Sequence, residues 1–518
     1  MAIRRTVPGC RQPPARWLTL AFALLGPTLT RAADVPIVPR WQRVEREFRS
    51  ENLHTNPGAV TLRVEFRTPQ GETQSVPGFW DGGKVWRARV LPGVAGRWSF
   101  RTNCSDTNDT GLHNHTGEFL CTAAERGNRF REHGPVQVAR AGTYFEHTDR
   151  TPLFLVTELG WNAVRREAPK ALETRVRELA RQKVNALAWT IWPGKDEQGK
   201  GAFDGAAPGE LNLDFLQRLD AKVEMITSAG LVNVIAPSWE LRDVSDEATE
   251  AQTAALMQQT IARWHASPSL WLVAAESGSS GANIGRWRRI GQEVFGAGMR
   301  GPVIFLPGES QWLWEEFRAE KWITGLGFKT AHLTTDDALQ WFHTGPLSME
   351  HRQTPARPVL DLIPMKENSS AGILAARQLL WWGLLMNPPA GVSLQSKSGA
   401  NALAGGNAAL HAASFMSALD FRTLRPAPRL LAVQPGVESP QRFVAVAASE
   451  NRDLVVAYVP TGPTVQFVTA ALPPRRTASW FNPRTAERIL AAGVVSGDRT
   501  TYRTPGESDW VLTMRVEK

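Results

Sequence analysis

Cysteine is nearly absent from this chain, with three among 518 residues: Cys10, Cys104 and Cys121. Long apolar runs are missing too. The candidates at 17–29 and 379–386 fall short of the roughly 20 apolar residues that a spanning helix needs, and Pro388-Pro389 closes off the second. A membrane span is therefore excluded. There are no heptads, low-complexity tracts or tandem repeats, which excludes coiled-coil and repeat architectures. With 42% hydrophobic and 21% charged residues, the composition excludes a disordered, collagen-like or fibrous chain. Tyrosine is scarce, at 3 against 20 tryptophans.

An excess of one charge is also missing once the leader is set aside. Arg4, Arg5, Arg11 and Arg16 precede the apolar run 17–29, and Thr30-Arg31-Ala32-Ala33 offers small residues for cleavage. This is the layout of a secretory signal peptide over 1–32, cleaved near Ala32, and it predicts a secreted or periplasmic protein. Losing that segment's five arginines lowers the net charge from +9 to +4. The remaining Lys and Arg are scattered rather than clustered, which argues against a nucleic-acid partner. Cys104 and Cys121 then form an even pair in an exported protein, so a disulfide between them is expected.

Three domains follow from the hydrophobic periodicity. Residues 34–124 read as a β-sandwich. Val60, Leu62, Val64 and Phe66 alternate with polar neighbours, and turns at Asn56-Pro57-Gly58, Asp81-Gly82-Gly83 and Pro92-Gly93 punctuate the strands. Residues 128–432 change to strand, helix, strand, helix. Strands at 153–157, 185–192, 231–236, 270–275, 303–306, 323–328, 358–362 and 390–394 alternate with helices such as the one carrying Leu172, Val176 and Leu179. Eight such units predict a (β/α)8 TIM barrel of α/β class rather than an open sheet. Residues 436–518 return to short strands separated by turns, a second β-sandwich.

In a barrel, chemistry sits at the C-terminal ends of the strands. The residues placed there are Glu158, Trp189, Trp192, Trp239, Glu240, Glu276, Glu309, Lys329, His332, Asp361 and Glu367. Hydrolysis of sugars needs one carboxylic acid to protonate the leaving oxygen and a second carboxylate as nucleophile or base, while indole faces stack on sugar rings. Thirteen of the 20 tryptophans lie between Trp161 and Trp382, which points to a glycan cleft. A single Glu on a βα loop is by itself merely solvated; the coincidence of several on one rim carries the reading.

Other motifs dissolve. Gly296-Ala297-Gly298-Met299-Arg300-Gly301 spells a dinucleotide fingerprint but follows a helix and precedes a strand, the reverse of what the mechanism requires. Gly278-Ser279-Ser280-Gly281 lacks a His partner. His113 and His115 have no third ligand nearby, and Trp381-Trp382 reads as core. No cofactor and no metal are expected.

The sequence resembles a family of glycosidase-like proteins. Residues 35–122, with Asn56-Pro57, the Pro77-Gly78-Phe79-Trp80-Asp81-Gly82 turn and the stretch 111–119, resemble an N-terminal sandwich domain of unknown function. Residues 128–430 resemble the apiosidase-like barrel of glycoside hydrolases. The last 80 residues, with Trp480-Phe481-Asn482-Pro483-Arg484-Thr485 and Pro505-Gly506-Glu507-Ser508-Asp509-Trp510, resemble a C-terminal domain labelled collagen-binding. The resemblance implies an acid/base carboxylate after the fourth barrel strand, at Glu276, and a nucleophile after the seventh. Trp161 and His332 match family positions. The family's Asp-Gly-Glu-Pro pattern stands here as Asp361-Leu362-Ile363-Pro364, with isoleucine in place of the nucleophile. Asp361, two residues earlier, is expected on the same strand face and one layer deeper. Two readings follow: an exported hydrolase acting on polysaccharide, with Glu276 as acid and Glu367 as the relocated second carboxylate; or an inactive glycan-binding descendant.

Overall fold

A computed structural model of the chain describes residues 35–203, 210–238, 247–274, 281–296, 298, 301–307, 314–365, 370–395 and 407–517. Alternating apolar residues build the first domain from β1 (Ile37–Pro39), β2 (Val44–Arg49), β3 (Leu62–Arg67), β4 (Thr73–Trp80), β5 (Val85–Val90), β6 (Gly96–Cys104) and β7 (Thr116–Thr122). They run in the order β1-β7-β6-β3-β4-β5-β2. Leu62, Val64 and Phe66 face a core with Trp86, Trp98 and Phe119, while Arg63, Glu65 and Arg67 face solvent. The expected disulfide does not exist: Cys104 and Cys121 are buried and free. Cys121 lies opposite Gly96, and Cys104 sits eight residues further along β6, about 27 Å at the usual strand rise. A disulfide tolerates roughly 7 Å between Cα atoms.

The barrel strands are β11 (Leu155–Leu159), β12 (Ala186–Trp192), β13 (Val232–Ser238), β14 (Ser269–Ala274), β15 (Val303–Leu306), β16 (Gly325–Lys329), β17 (Val359–Ile363) and β18 (Gly391–Gln395). All pair in parallel, in the order β17-β16-β15-β14-β13-β12-β11-β18. Inward side chains, among them Leu155, Ala188, Val234, Leu272, Ile304 and Leu360, fill the lumen. Phe130, Phe145 and Leu153 close it from the N-terminal end, two of them on the small sheet of β8 (Val136–Val138), β9 (Phe145–His147) and β10 (Pro152–Leu153). At Gly327 the packing reaches the backbone, since a Cβ would come within 2.9 Å of the Leu306 and Leu362 side chains. Phe130 lies on the short helix α1 (Arg129–His133) beneath the lumen, and outward side chains meet the helices α2 (Ala163–Arg166), α3 (Pro169–Arg181), α4 (Leu213–Ser228), α5 (Glu247–Trp264), α6 (Gly281–Phe295), α7 (Trp314–Phe317), α8 (Asp336–Thr344), α9 (Pro346–Met349), α10 (Ser370–Met386) and α11 (Asn407–Ser417). The barrel closes at a thin seam between β17 and β18, held by the bridge Val359–Pro389 and by Gln395 Nε2 donating to the Pro364 carbonyl at 2.5 Å. Among the described residues no helix is long and apolar enough to cross a membrane.

The third domain stacks two sheets. The larger runs β19-β20-β21-β27-β23-β24, from β19 (Arg425–Pro426), β20 (Ala445–Ala448), β21 (Leu454–Val459), β23 (Arg476–Phe481), β24 (Arg488–Ala491) and β27 (Trp510–Val516). The smaller runs β22-β26-β25, from β22 (Thr464–Val468), β25 (Gly493–Ser496) and β26 (Arg499–Arg503).

Both flanking domains are bonded to the barrel through buried charge. Arg263 on α5 pairs with Asp220 on α4 at 2.7 Å and with Asp81 of the first domain, and Arg89 joins Glu45 at 2.7 Å and Asp220 at 3.1 Å. The Arg263 and Arg89 guanidiniums also lie 4.6 and 5.0 Å from the Phe79 ring centroid. On the other side Asp509 accepts two bonds from Arg377 of α10, at 2.6 and 2.8 Å, and one from Tyr458 Oη at 3.1 Å.

Candidate functional site at the barrel mouth

The mouth is built where side chains cap the lumenal core. Trp161, just after β11, and Ile363, ending β17, pack on that core and stay half-buried. The Trp161 carbonyl accepts the Thr190 N–H and hydroxyl, both at 2.9 Å, which ties its loop to β12. Trp192 ends β12, half-buried, with its ring edge-on to Phe203 at 6.1 Å. Lys329 ends β16 beside Ile363, and His332 is exposed in the loop that follows.

Sequence reasoning missed Arg165. It is buried on α2, and its guanidinium donates to the carbonyls of Thr190, Ile191 and Lys195 and to Asn162 Oδ1. A Cβ at Gly194, whose φ is +133°, would lie 2.2 Å from Arg165 Nη2. Arg165 therefore shapes the turn that carries Trp192. Nothing in the local sequence marks it, because its partners are backbone carbonyls 25 to 30 residues away.

Three predicted mouth residues face elsewhere. Glu158 lies within β11 rather than after it, and alternation turns it outward with Val156. It is fully buried against α3 and pairs with Arg175 Nη1 at 2.7 Å. Burial alone would lower the Arg175 pKa, but Glu167 and Glu158 outweigh it and hold the guanidinium charged. Trp189 also points outward, fully buried, 5.7 Å from Trp264. Asp361 is turned from the lumen by alternation, since Leu360 faces in, and Ile363 is turned into it by a register shift in β17. Phe328 pairs with Asp361, yet Lys329 pairs with Ile363. The extra residue, Leu362, is a β-bulge, which re-aims the side chain after it. Leu362 and Ile363 meet the lumenal core, whereas Asp361 follows Val359 and Phe328 to the outer side. The same-face expectation for Asp361 and Ile363 is thus overturned.

Asp361 accepts from Thr330 Oγ1 at 2.5 Å and from the Ile363 N–H at 3.1 Å. Burial pushes its pKa up to about 7, with those bonds opposing. Glu158 and Asp361 are the two carboxylates in the barrel strands, and neither reaches the mouth. Trp239, Glu240, Glu276, Glu309 and Glu367 lie outside the described residues. The described mouth therefore carries two indoles, one ammonium, one imidazole and an aliphatic side chain. Indole faces are able to stack on sugar rings, and hydrolysis of a glycosidic bond requires carboxylates, which here would have to come from the loops.

Among the described residues, His54, Asp106 and Asp109 place possible metal-ligand atoms within 4.8 Å of one another. Asp109 is already saturated: Oδ2 binds Ser50 Oγ at 2.5 Å and His54 Nε2 at 3.0 Å, and Oδ1 accepts the N–H groups of Glu51 and Gly111. The group clamps a loop. His113 and His115 likewise bond to local backbone.

Comparison with known proteins agrees with this architecture. Residues 139–398, just over half of the chain, match the family model described as "Apiosidase-like, catalytic domain". Residues 37–105 match a domain of unknown function, DUF5060. Residues 429–515 match the "Putative collagen-binding domain of a collagenase". No curated protein matches the chain in sequence. Among solved structures, a "putative glycoside hydrolase" from Bacteroides vulgatus ATCC 8482 superposes with a TM-score of 0.67 at 14% identity, over 93% of this chain and 99% of that one. A glycoside hydrolase family 5 protein from the same organism gives 0.62 at 14% identity, over 76% and 95%. At such identity the likeness shows the fold alone.

Proposed function

The chain belongs to the apiosidase-like catalytic-domain family, and from that membership together with the geometry of the mouth we propose that it is an exported glycoside hydrolase acting on a complex polysaccharide. Glu276 is the general acid. The second carboxylate is not on β17 and comes from the following loop, with Glu367 taking the part that Ile363 has vacated. The family match over residues 139–398 carries this reading; the bulge aims position 363 into the mouth, where isoleucine can neither attack an anomeric carbon nor activate water, so the second carboxylate is sought elsewhere. Glu367 begins four residues later, and four residues span up to about 14 Å of chain, enough to fold back to the rim. Trp161 and Trp192 would hold the sugar rings, and Lys329 and His332 would bond to its hydroxyls.

A second reading is favoured by the same isoleucine and by the outward turn of Glu158 and Asp361. In it the mouth binds glycan and hydrolyses nothing. Incubation with a panel of plant and microbial polysaccharides separates the two. Hydrolysis predicts released oligosaccharide, abolished in Glu276→Gln and in Glu367→Gln; retained binding without release by the native chain supports the second reading.

A further inference from the structure

A cavity of about 220 Å³ lies behind the barrel wall, between the β17/β18 seam and helix α10, on the opposite side of the sheet from the mouth. Phe328, Val359, Leu379, Leu380, Leu384 and Val392 wall it. Gly383 leaves room on the helix side, since a Cβ there would stand 3.2 Å from Phe328 Cζ. Asp361 enters at the end nearest the mouth, with Ser393 and Gln395 beside it.

The lining selects its occupant. A sugar carries hydroxyls on every side, and those turned away from the polar end would stand unpaired against the six apolar side chains. A carboxylate or phosphate would find no available cation, because the Arg377 guanidinium that borders the cavity is bound to Asp509. Size is no obstacle to a ring, since an apolar cavity of roughly 150 Å³ accommodates benzene. Polar side chains gather at one end of the cavity, where Asp361, Ser393 and Gln395 meet. A carboxyl group offers about four lone-pair sites, and Thr330 Oγ1 and the backbone N–H groups of Ile363 and Thr330 leave acceptor capacity on Asp361.

We propose that this cavity is a binding site for a neutral, ring-sized apolar molecule bearing one hydroxyl, the class that phenols represent, with the hydroxyl bonded to Asp361. The site is independent of whether the mouth hydrolyses glycan. It touches the mouth through one hydrogen bond, from the Ile363 N–H to Asp361 Oδ1 at 3.1 Å, so an occupant alters the strand end that borders the glycan.

Calorimetric titration of the full chain with phenol and with toluene tests the proposal. The expected result is one saturable site that takes phenol at least about tenfold more tightly than toluene. Asp361→Leu abolishes that preference, and Ala376→Phe or Gly383→Leu, each filling the cavity from α10, abolishes binding of both. The filling variant scored is the one that keeps the native melting transition. Absence of saturable binding, equal affinity for phenol and toluene in the native chain, or binding unchanged in the filled variant overturns it.

Discussion

Two buried titratable side chains lean in opposite directions. His343 on α8 stacks on Phe443 at 4.1 Å and meets the edge of Trp382 at 4.4 Å, and neither ring nitrogen has a hydrogen-bond partner. Burial lowers its pKa to about 3. The unfolded ring takes up a proton below about 6.5, so its contribution is whole above that pH and is lost as pH falls toward 3, at about 1.4 kcal/mol per pH unit. Asp361 works the other way. Its folded carboxyl titrates near 7 against 3.8 for the free group, so its contribution is whole below 3.8 and is lost as pH rises toward 7. Relative to the native chain, His343→Phe should gain stability as pH falls from 6.5 to 4, and Asp361→Asn should gain as pH rises over that window. Denaturant midpoints across pH 4–7 check both signs.

At the scale of elements, the strand end decides what a residue is for. Trp189 and Trp192 lie three residues apart on β12; Trp189 is fully buried, whereas Trp192 ends the strand half-buried with one edge on the outer core. Trp189→Ala should destabilise by about 3–5 kcal/mol, as deletion of a buried aromatic does, with any loss of glycan binding following the loss of fold. Trp192→Ala, which removes a half-buried ring, should destabilise clearly less than Trp189→Ala and weaken glycan binding about tenfold. Chemical denaturation and affinity electrophoresis on the same two variants separate these roles. The contrast also shows what was legible beforehand. Alternation of strand and helix was readable because apolar periodicity survives without knowledge of exact ends. The rim was not, because a two-residue shift in where β11 ends turns Glu158 from solvent into the wall, and the bulge at Leu362 leaves no mark in composition. The tryptophan concentration was read as a cleft, yet eight of the thirteen barrel tryptophans sit in the core between sheet and helices. Trp161 and Trp192 stay half-buried at strand ends, and the proposed cleft rests on those two.

For the whole molecule, the flanking-domain motifs turn out to be fastenings. Phe79 and Asp81 of the first domain's turn, and Asp509 of the last domain's, are the residues that grip Arg263, Arg89 and Arg377. The sequence marks these motifs while hiding their partners, which lie up to 182 residues away. Arg377→Met leaves Asp509 buried with only Tyr458 as partner, and removing one side of a buried ion pair costs about 3–5 kcal/mol. The double variant Arg377→Met, Asp509→Leu should recover most of that loss, which calorimetry of the C-terminal transition would register.

Hydrolysis at this mouth depends on carboxylates other than position 363, where β17 presents isoleucine. The most direct measurement is the rate of oligosaccharide release from a polysaccharide that the native chain cleaves, compared among the native chain, Glu276→Gln and Ile363→Glu. The account predicts release by the native chain, a loss of at least about a hundredfold in Glu276→Gln, as expected when a general acid is removed, and no requirement for a carboxylate at position 363. No release by the native chain from any substrate that it binds, or equal release by Glu276→Gln, would contradict it.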